Sequence, residues 1–237
     1  MKSYPQPGSF VHIRPTTDGT DPLLRRAFSI FDYDELNGTI DILFKIFGRG
    51  SLLLSKVKPG VILDVLGPLG NGFIEPTKET DLVLVGGGVG IPPVYLAAKD
   101  ALRKGHPKEK VTFLCGFTCD KESVMAERVK SLPIMVRVST DDGSLGFHGY
   151  VSQLLEQELD SNRLTSPLVC ACGPEAMLKA VQSVVLRRNV PCFLSLESIM
   201  PCGVGTCLGC VVKAEGEDKY KRVCREGPVF DAREVEL

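Results

Sequence analysis

The chain has 237 residues, and its 28 Lys and Arg against 29 Asp and Glu give a formal net charge of -1. This balance lacks the basic excess expected of a protein that binds nucleic acid or an anionic membrane surface. With 43% hydrophobic and 24% charged residues, the composition is typical of a globular protein. The sequence shows neither a secretory signal nor a membrane span, which predicts a cytoplasmic protein.

Residues 1–76 predict a small antiparallel β-barrel. Turn-forming pairs such as Asn37-Gly38 and Pro59-Gly60 separate short apolar runs. The predicted strands are residues 10–13, 28–31, 40–47 and 62–66. Short strands with frequent turns are typical of such a barrel.

Residues 77–196 predict a second domain, in which strands alternate with helices. The predicted strands are residues 81–85, 111–115, 134–138, 168–171 and 192–196. The predicted helices are residues 94–104, 122–131, 150–159 and 174–188, the last of which opens at a proline that a first helical turn tolerates. This alternation predicts a doubly wound, five-stranded parallel sheet of the kind that binds nucleotides.

Residues 197–237 contain four of the nine cysteines and predict a cluster-binding module. The spacing is C-x4-C-x2-C-x13-C, formed by Cys202, Cys207, Cys210 and Cys224. The first three match the plant-type 2Fe-2S arrangement, and the glycines among them let the backbone curl around a cluster. A segment this short buries little apolar surface, so it needs a covalent cross-link or a bound metal to fold stably.

Two other interpretations of these cysteines are a zinc site and free buried thiols. Zinc usually prefers paired C-x2-C knuckles, whereas here four residues separate the first pair and no second knuckle follows. The spacing therefore favours the cluster. Four isolated cysteines elsewhere are expected to be core residues, and they are Cys115, Cys119, Cys170 and Cys192.

A glycine-rich loop, G-G-G-V-G-I-P-P at residues 86–93, lies between a predicted strand and a predicted helix. Such a loop lets a phosphate approach backbone N–H groups at a helix N-terminus, although a tight turn alone would also explain it. Cys172, Gly173 and Pro174 follow a later strand of the same sheet. Because ligands of open α/β sheets bind at the carboxyl edge, both segments are candidates for one nucleotide site.

A third element lies in the predicted barrel. The run R-A-F-S-I at residues 26–30 is followed by G-R-G-S at residues 48–51. An arginine beside a strand offers a forked donor for a pyrophosphate. Each element alone is weak evidence for a cofactor site, whereas the order of the elements along the chain is stronger evidence.

That order, R-x-F-S-I, G-x-G-S, G-G-G-x-G-x-P-P, C-G-P and the four-cysteine tail, resembles the ferredoxin-reductase-like flavoproteins. Within them it resembles the electron-transfer subunits of NAD-linked dihydroorotate dehydrogenase. Further matching stretches are G-P-L-G-N-G-F at 67–73, T-D-D-G-S at 140–144 and M-P-C-G-V-G-T-C at 200–207. The chain departs from the family by Ala27-Phe28 in place of a Pro-Ile pair and by about two fewer N-terminal strands, so we expect a barrel that is short at its front.

The resemblance implies three cofactors and assigns no acid–base catalytic residue. FAD would be held by Arg26, Ala27, Phe28 and Ser29, by Leu43, Phe44 and Lys45, and by Gly50 and Ser51. NAD would be held by Gly86, Gly87, Gly88, Gly90 and Pro92, and by Cys172, Gly173 and Pro174, with Cys172 facing the nicotinamide. One 2Fe-2S cluster would be ligated by Cys202, Cys207, Cys210 and Cys224.

The resemblance also implies a partner, an FMN-containing catalytic subunit that oxidises dihydroorotate in pyrimidine biosynthesis, with two copies of each chain. A flavin is the expected link between a two-electron nicotinamide and a one-electron cluster. Asp120, after the second strand of the sheet, favours NAD over NADP because it would repel a 2′-phosphate. The alternatives are the small subunit of a sulfide dehydrogenase or ferredoxin:NADP oxidoreductase complex, and a zinc-stapled interaction module.

Overall fold

A computed structural model describes residues 4–16, 19–216 and 219–237. Its strands are β1 (Phe10–Ile13), β2 (Arg26–Ser29), β3 (Asp32–Asp34), β4 (Thr39–Asp41), β5 (Val65–Leu69), β6 (Asp81–Gly87), β7 (Val111–Phe117), β8 (Met135–Thr140), β9 (Phe147–His148), β10 (Pro167–Cys172), β11 (Cys192–Ser195), β12 (Val211–Lys213), β13 (Tyr220–Arg222) and β14 (Val229–Asp231). Its α-helices are α1 (Gly48–Leu54), α2 (Ile91–Arg103), α3 (Val124–Lys130), α4 (Val151–Leu159) and α5 (Glu175–Arg187). No helix in the described part of the chain is both long and apolar enough to cross a bilayer.

The largest sheet has the strand order β14-β11-β10-β6-β7-β8-β9. The five predicted strands run parallel at its centre, which confirms the predicted parallel sheet. Two edge strands within the described residues were not predicted. The two-residue β9 is too short for a periodic signal, and β14 is an antiparallel strand supplied by the cysteine-rich tail.

Helices cover both faces of this sheet, as the doubly wound prediction requires. Side chains of α4 and α5 pack with one face in a single buried cluster. Side chains of α2 and α3 pack with the other face in a second cluster. Every residue of β6 and β7 is buried, which explains why these strands have near-continuous apolar sequences without alternation.

The helix predictions agree with the structure to within three residues at each end. Helix α2 starts with Pro92 and Pro93 in its first turn, where their missing N–H groups cost nothing, and its chain turns off at Gly105 with φ of +76°. The sequence predicts an apolar stripe on α5 at Met177, Ala180, Val181, Val184 and Val185. The helix buries the three valines together with Leu178, whereas Met177 and Ala180 are half-buried.

The first third of the chain forms two small antiparallel sheets. One has the order β2-β1-β5, and the other is the hairpin of β3 and β4 around Asn37-Gly38. No strand ladder joins these two sheets within the described residues, so the single predicted barrel is not seen. The strand expected at residues 40–47 ends at Asp41, because the chain then runs unpaired into α1.

The hairpin is fastened to the nucleotide-binding sheet through its helices. The buried carboxylate of Asp32 on β3 forms ion pairs with Lys99 of α2 and, at 3.3 Å, with Arg128 of α3. The ring of Phe31 lies 4.7 Å from that of Tyr95 on α2. These contacts fix the front of the chain relative to the sheet.

Candidate functional site

The glycine-rich loop and the C-G-P segment meet at one edge of the sheet. The glycine-rich loop begins in the last residues of β6 and the C-G-P segment begins at the last residue of β10, and these neighbouring strands pair there through Gly86 and Cys172. From β6 the chain proceeds to β7 on one side, whereas β10 leads to β11 on the other. This reversal of strand order is the position at which open α/β sheets bind nucleotides.

Most glycines of the loop are required by close packing. A Cβ at Gly87 would lie 2.4 Å from the Met177 sulfur, and one at Gly90 would lie 2.5 Å from the Cys172 carbonyl oxygen and the Gly173 Cα. A Cβ at Gly86 would meet Ile91 at 2.8 Å. The tight-turn interpretation therefore accounts for these three positions.

Gly88 is different from the other glycines of the loop. It has a left-handed φ of +51°, and its Cβ position has no neighbour within 4 Å. It is the glycine that leaves space at this edge, so it is the best candidate for backbone contact with a phosphate.

Cys172 is buried, although the resemblance placed it facing the nicotinamide. Its thiol is 1% exposed, and burial, reinforced by the negative charge of Glu197, raises its pKa to about 12. Glu197 itself follows β11 at the same sheet edge, where it is exposed. Sequence analysis missed Glu197 because a lone acidic residue after a strand gives no periodic or spacing signal.

The structure brings together the two sequence segments expected to hold a flavin. A Cβ at Gly50 would lie 2.8 Å from Nε of Arg26, so the arginine side chain lies directly over the start of α1. The guanidinium donates hydrogen bonds to the carbonyls of Leu24 at 2.7 Å and Arg25 at 3.3 Å. These bonds hold the cation in place beside β2.

The other residues expected to hold a flavin make aromatic, apolar and polar contacts of their own. The rings of Phe28 and Phe44 have centroids 5.3 Å apart, and Leu43 packs against the core of the parallel sheet. The Ser51 hydroxyl donates to the Phe47 carbonyl at 2.8 Å and accepts from the Phe47 N–H at 2.7 Å. Ala27 and Ser29 lie on β2 between these groups and β1, opposite His12 and Phe10.

Lys45 lies at the junction of the two parts of the molecule. Its ammonium group is 3.6 Å from the carboxylate of Glu122, which follows β7 in the parallel sheet. Nearby, the Asp120 N–H donates to the Ser144 hydroxyl at 2.8 Å, which joins the loop after β7 to the T-D-D-G-S loop after β8. Asp120 is exposed at this edge.

The four tail cysteines share one feature, which is that each sulfur accepts a backbone N–H. Cys202 accepts from Val204 at 3.5 Å, Cys224 from Gly205 at 3.1 Å, Cys207 from Gly209 at 3.4 Å, and Cys210 from Cys224 at 3.5 Å. Gly203 and Gly205 have φ values of +72° and +82°, which turn the loop around the sulfurs. Backbone N–H donors stabilise thiolates and cluster sulfurs.

The two ends of this cysteine set are in unlike surroundings. Hydrogen bonds from the backbone, Val204 foremost, lower the pKa of Cys202 to about 6, whereas burial raises the pKa of Cys224 to about 12. Among the described residues no three His, Cys, Asp or Glu side chains converge as a single-ion site needs. A 2Fe-2S cluster takes two cysteines at each iron, so its ligand set does not require such convergence.

The G-P-L-G-N-G-F stretch anchors the tail, a role that sequence analysis did not assign. The Asn71 amide donates to the carbonyls of Arg225 at 3.1 Å and Glu226 at 3.0 Å, and its backbone N–H donates to Gly227 at 2.7 Å. A Cβ at Gly70 would lie 2.5 Å from Pro228. The cysteine loop is therefore held against the strand β5 region of the first sheet.

The remaining cysteines largely follow expectation. Cys115, Cys170 and Cys192 are buried, as predicted for core thiols. Cys119 was also expected in the core, but it is only half-buried, because it stands in the loop after β7 rather than in a strand.

Family models match two parts of the chain. Residues 197–236 match the iron-sulfur cluster binding domain of dihydroorotate dehydrogenase B, and residues 84–183 match the oxidoreductase NAD-binding domain. A solved structure of an NADH-dependent reduced ferredoxin-NADP oxidoreductase superimposes with a TM-score of 0.84 at 29% identity, covering 99% of this chain and 81% of the other. A ferredoxin reductase of carbazole 1,9a-dioxygenase shares the fold, with a TM-score of 0.67, 23% identity and coverage of 78% and 57%.

Fold and site together define an oxidoreductase of the ferredoxin-reductase type. The dihydroorotate dehydrogenase B (NAD(+)) electron transfer subunit of Geobacillus kaustophilus is 42% identical over 235 residues, which are 98% of this chain and 87% of that one. The same subunit of Fusobacterium nucleatum is 37% identical over 239 residues, with coverage of 100% and 89%. The chain belongs to the family of electron transfer subunits of dihydroorotate dehydrogenase B, which confirms the resemblance found in its motifs.

Proposed function

We propose that the chain passes electrons between NAD(H), FAD and a 2Fe-2S cluster in a dihydroorotate dehydrogenase of pyrimidine biosynthesis. The observation that carries this proposal is the tail loop, in which all four cysteine sulfurs accept backbone N–H groups. A loop built this way fits a cluster that carries negative charge on its sulfurs. A zinc-stapled module without redox function would not account for the matched iron-sulfur family model.

The flavin site is proposed to lie where Arg26 meets α1. Arg26 would bind the FAD pyrophosphate with its forked guanidinium, supported by the backbone of Gly50 and Ser51. Ala27, Phe28 and Ser29 would line one side of the flavin, with Leu43, Phe44 and Lys45 along its ribityl and ring side. When bound, the flavin supplies the exchange between two-electron and one-electron chemistry.

The nicotinamide nucleotide is proposed to bind at the switch point of the parallel sheet. Gly88 supplies the open backbone, whereas Gly86, Gly87, Gly90 and Pro92 shape the turn, and Gly173 and Pro174 form the opposite wall with buried Cys172 behind them. Exposed Asp120 favours NAD over NADP, because its carboxylate would repel a 2′-phosphate. The proposed division of the chain is 1–76 for FAD, 77–196 for NAD and 197–237 for the cluster.

The partner is proposed to be an FMN-containing catalytic subunit, in a cytoplasmic assembly of two copies of each chain. Cys207 is exposed, and the apolar side chains of Val204 and Leu208 beside it are 43% and 60% exposed. Leu208 adopts a left-handed φ of +56° that a leucine rarely takes. An exposed apolar tip next to a cluster ligand suits electron transfer across an interface.

Cofactor content tests this proposal directly. The purified chain should contain one FAD and one 2Fe-2S cluster, detected by absorbance, iron content and the EPR signal of the reduced protein. Cys207→Ser should lose the cluster signal and keep the flavin, whereas Cys119→Ser, at a half-buried cysteine outside the tail, should keep both. A colourless protein with one bound zinc would contradict the electron-transfer proposal.

A further inference from the structure

His12 lies between the first sheet and the cysteine loop. It is on β1, the middle strand of its sheet, and it pairs with Ala27 on β2 and Leu66 on β5. The side chain is fully buried, although an imidazole has two polar nitrogens. Its cross-strand neighbour Ala27 belongs to the segment proposed to hold FAD.

The imidazole ring contacts the loop next to a proposed cluster ligand. A Cβ at Gly203 would lie 2.6 Å from Nδ1 of His12, so the ring occupies the space that any side chain at Gly203 would need. Gly203 follows Cys202 directly and has a φ of +72°. The ring and the left-handed backbone together therefore restrict this position to glycine.

Neither ring nitrogen has a hydrogen-bond partner of good geometry among the described residues. Two backbone carbonyls of the same loop, those of Met200 and Cys202, act on the ring, as do the cationic side chains of Arg25 and Arg26. A buried polar atom without a partner destabilises a fold, because it loses its hydrogen bonds to water. An apolar side chain would avoid this cost, so the imidazole at this contact calls for an explanation other than packing.

We infer that His12 is a positioning residue, which seats the cysteine loop on the flavin-binding sheet and orients Cys202 through an N–H directed at the loop carbonyls. This inference rests on the proposed function, since it concerns the distance and orientation between a cluster and a flavin. His12 is placed to position the loop, because it packs beside Ala27 on one side and Gly203 on the other. In this arrangement, the ring nitrogens of His12 are the groups that donate toward the loop carbonyls.

The chain supplies a matched control. His106 is also buried, and its ring nitrogens also lack partners of good geometry. It lies just after α2, in a cavity lined by the N-terminal segment, the segment before β6, α2 and two strands of the parallel sheet, with no residue of the cysteine tail. His106→Leu therefore removes a buried imidazole without touching the cysteine loop.

The test compares full-length, cofactor-loaded wild type with His12→Leu, His12→Gln and His106→Leu. The readouts are the EPR spectrum and midpoint potential of the cluster, and the rate of cluster reduction after NADH is mixed with the protein. His12→Leu should change the spectrum and the potential and slow cluster reduction by about tenfold to a hundredfold, as expected for a small misplacement of reacting groups. His12→Gln should restore much of both, since its amide can donate to the same carbonyls.

His106→Leu should leave the spectrum, the potential and the rate unchanged. If His12→Leu does not fold, His12→Asn replaces it in the comparison. The asparagine amide is on a shorter side chain, so it should not reach the loop carbonyls that the glutamine amide reaches. Wild-type spectra and rates in the His12 variants, or equal changes in His106→Leu, would overturn the inference and leave the proposed function standing. A wild-type chain that holds no cluster would overturn both.

Discussion

Gly90 and Gly173 are in direct backbone contact, since a Cβ at Gly90 would come within 2.5 Å of the Gly173 Cα and amide nitrogen. Gly90 has a φ of -82°, which any residue adopts, so its requirement for glycine comes from its close packing against Gly173 and the Cys172 carbonyl. The contact joins the loop after β6 to the segment after β10, and thus the two walls of the proposed nicotinamide site.

The first prediction concerns this contact. Gly90→Ala should lower the free energy of unfolding by about 1–3 kcal/mol through overpacking. It should also weaken NADH binding, because the two walls must move apart.

Gly60→Ala is the control, since Gly60 is left-handed with open space around its Cβ position. That variant should cost about 1–2 kcal/mol through strain and leave the NADH dissociation constant unchanged. Thermal unfolding and fluorescence titration measure both effects, and unchanged binding in Gly90→Ala would count against this site.

The second prediction concerns the anchor of the tail. Asn71→Ala removes two hydrogen bonds to the carbonyls of Arg225 and Glu226, the two residues that directly follow the last cysteine, Cys224. Each bond is worth about 0.5–1.5 kcal/mol, so the tail should loosen and the cluster should be released faster under a chelator. Asn37→Ala, which removes a bond to Asp34 in the β3–β4 hairpin, is the control and should release the cluster at the wild-type rate. Equal release from all three proteins would contradict the anchoring role.

The third prediction concerns the clamp between the β3–β4 hairpin and the helices, which is the set of ion pairs that Asp32 forms with Lys99 and Arg128. Asp32→Asn removes the charge that pairs with Lys99 and Arg128, and hydrogen bonds to charged groups contribute about 1.5–3 kcal/mol each before losses to solvent screening. Both cations are partly exposed, so we expect a net loss of about 1–2 kcal/mol in the free energy of unfolding. Glu35→Gln, which breaks a 3.6 Å exposed pair with Arg103, should cost less than about 1 kcal/mol. Chemical denaturation measures both, and equal losses would argue against the clamp.

The fourth prediction is a pH dependence centred on Asp81, at the start of β6. Burial alone would raise the pKa of Asp81, but hydrogen bonds from the backbone N–H groups of Ser166 and Thr165 outweigh it and leave the pKa below its usual value. Because the folded-state pKa is depressed, this stabilisation is present above the unfolded pKa of about 3.9 and is lost as pH falls through the folded value.

Asp81→Asn should therefore have a lower melting temperature than wild type at neutral pH. The difference should shrink as the pH falls below about 4, where the wild-type carboxyl becomes protonated. Thermal melts of both proteins from neutral to acidic pH measure the effect. A difference that stays constant across this range would mean that the charge of Asp81 contributes nothing.

The sequence predicted the parallel sheet well because its signals are local. The runs of β6 and β7 and the stripe of α5 follow from burial and helical period within single segments. Strand β14 and helix α1 were missed for different reasons. Strand β14 depends on pairing with β11, which is distant in sequence, and α1 begins in a glycine-rich stretch that predicts a loop.

The candidate site shows the same contrast between features with a local sequence signal and contacts between residues distant in sequence. Cysteine spacing is a local signal, so the proposed ligands could be listed from the sequence alone. The contacts of Asn71 with residues 225–227, and of His12 with Gly203, join positions far apart in the chain. No periodicity marks such pairs, so only the fold could identify them.

The central claim is that this chain connects dihydroorotate oxidation to NAD through its own cofactors. The most direct measurement is co-purification of the chain with its catalytic partner, followed by an assay of dihydroorotate-dependent NAD(+) reduction. We predict a stable complex that reduces NAD(+), with that activity lost in Cys207→Ser while NADH-dependent reduction of an artificial acceptor persists. A flavoprotein that is reduced by NADH but associates with no dihydroorotate-oxidising subunit would contradict the claim.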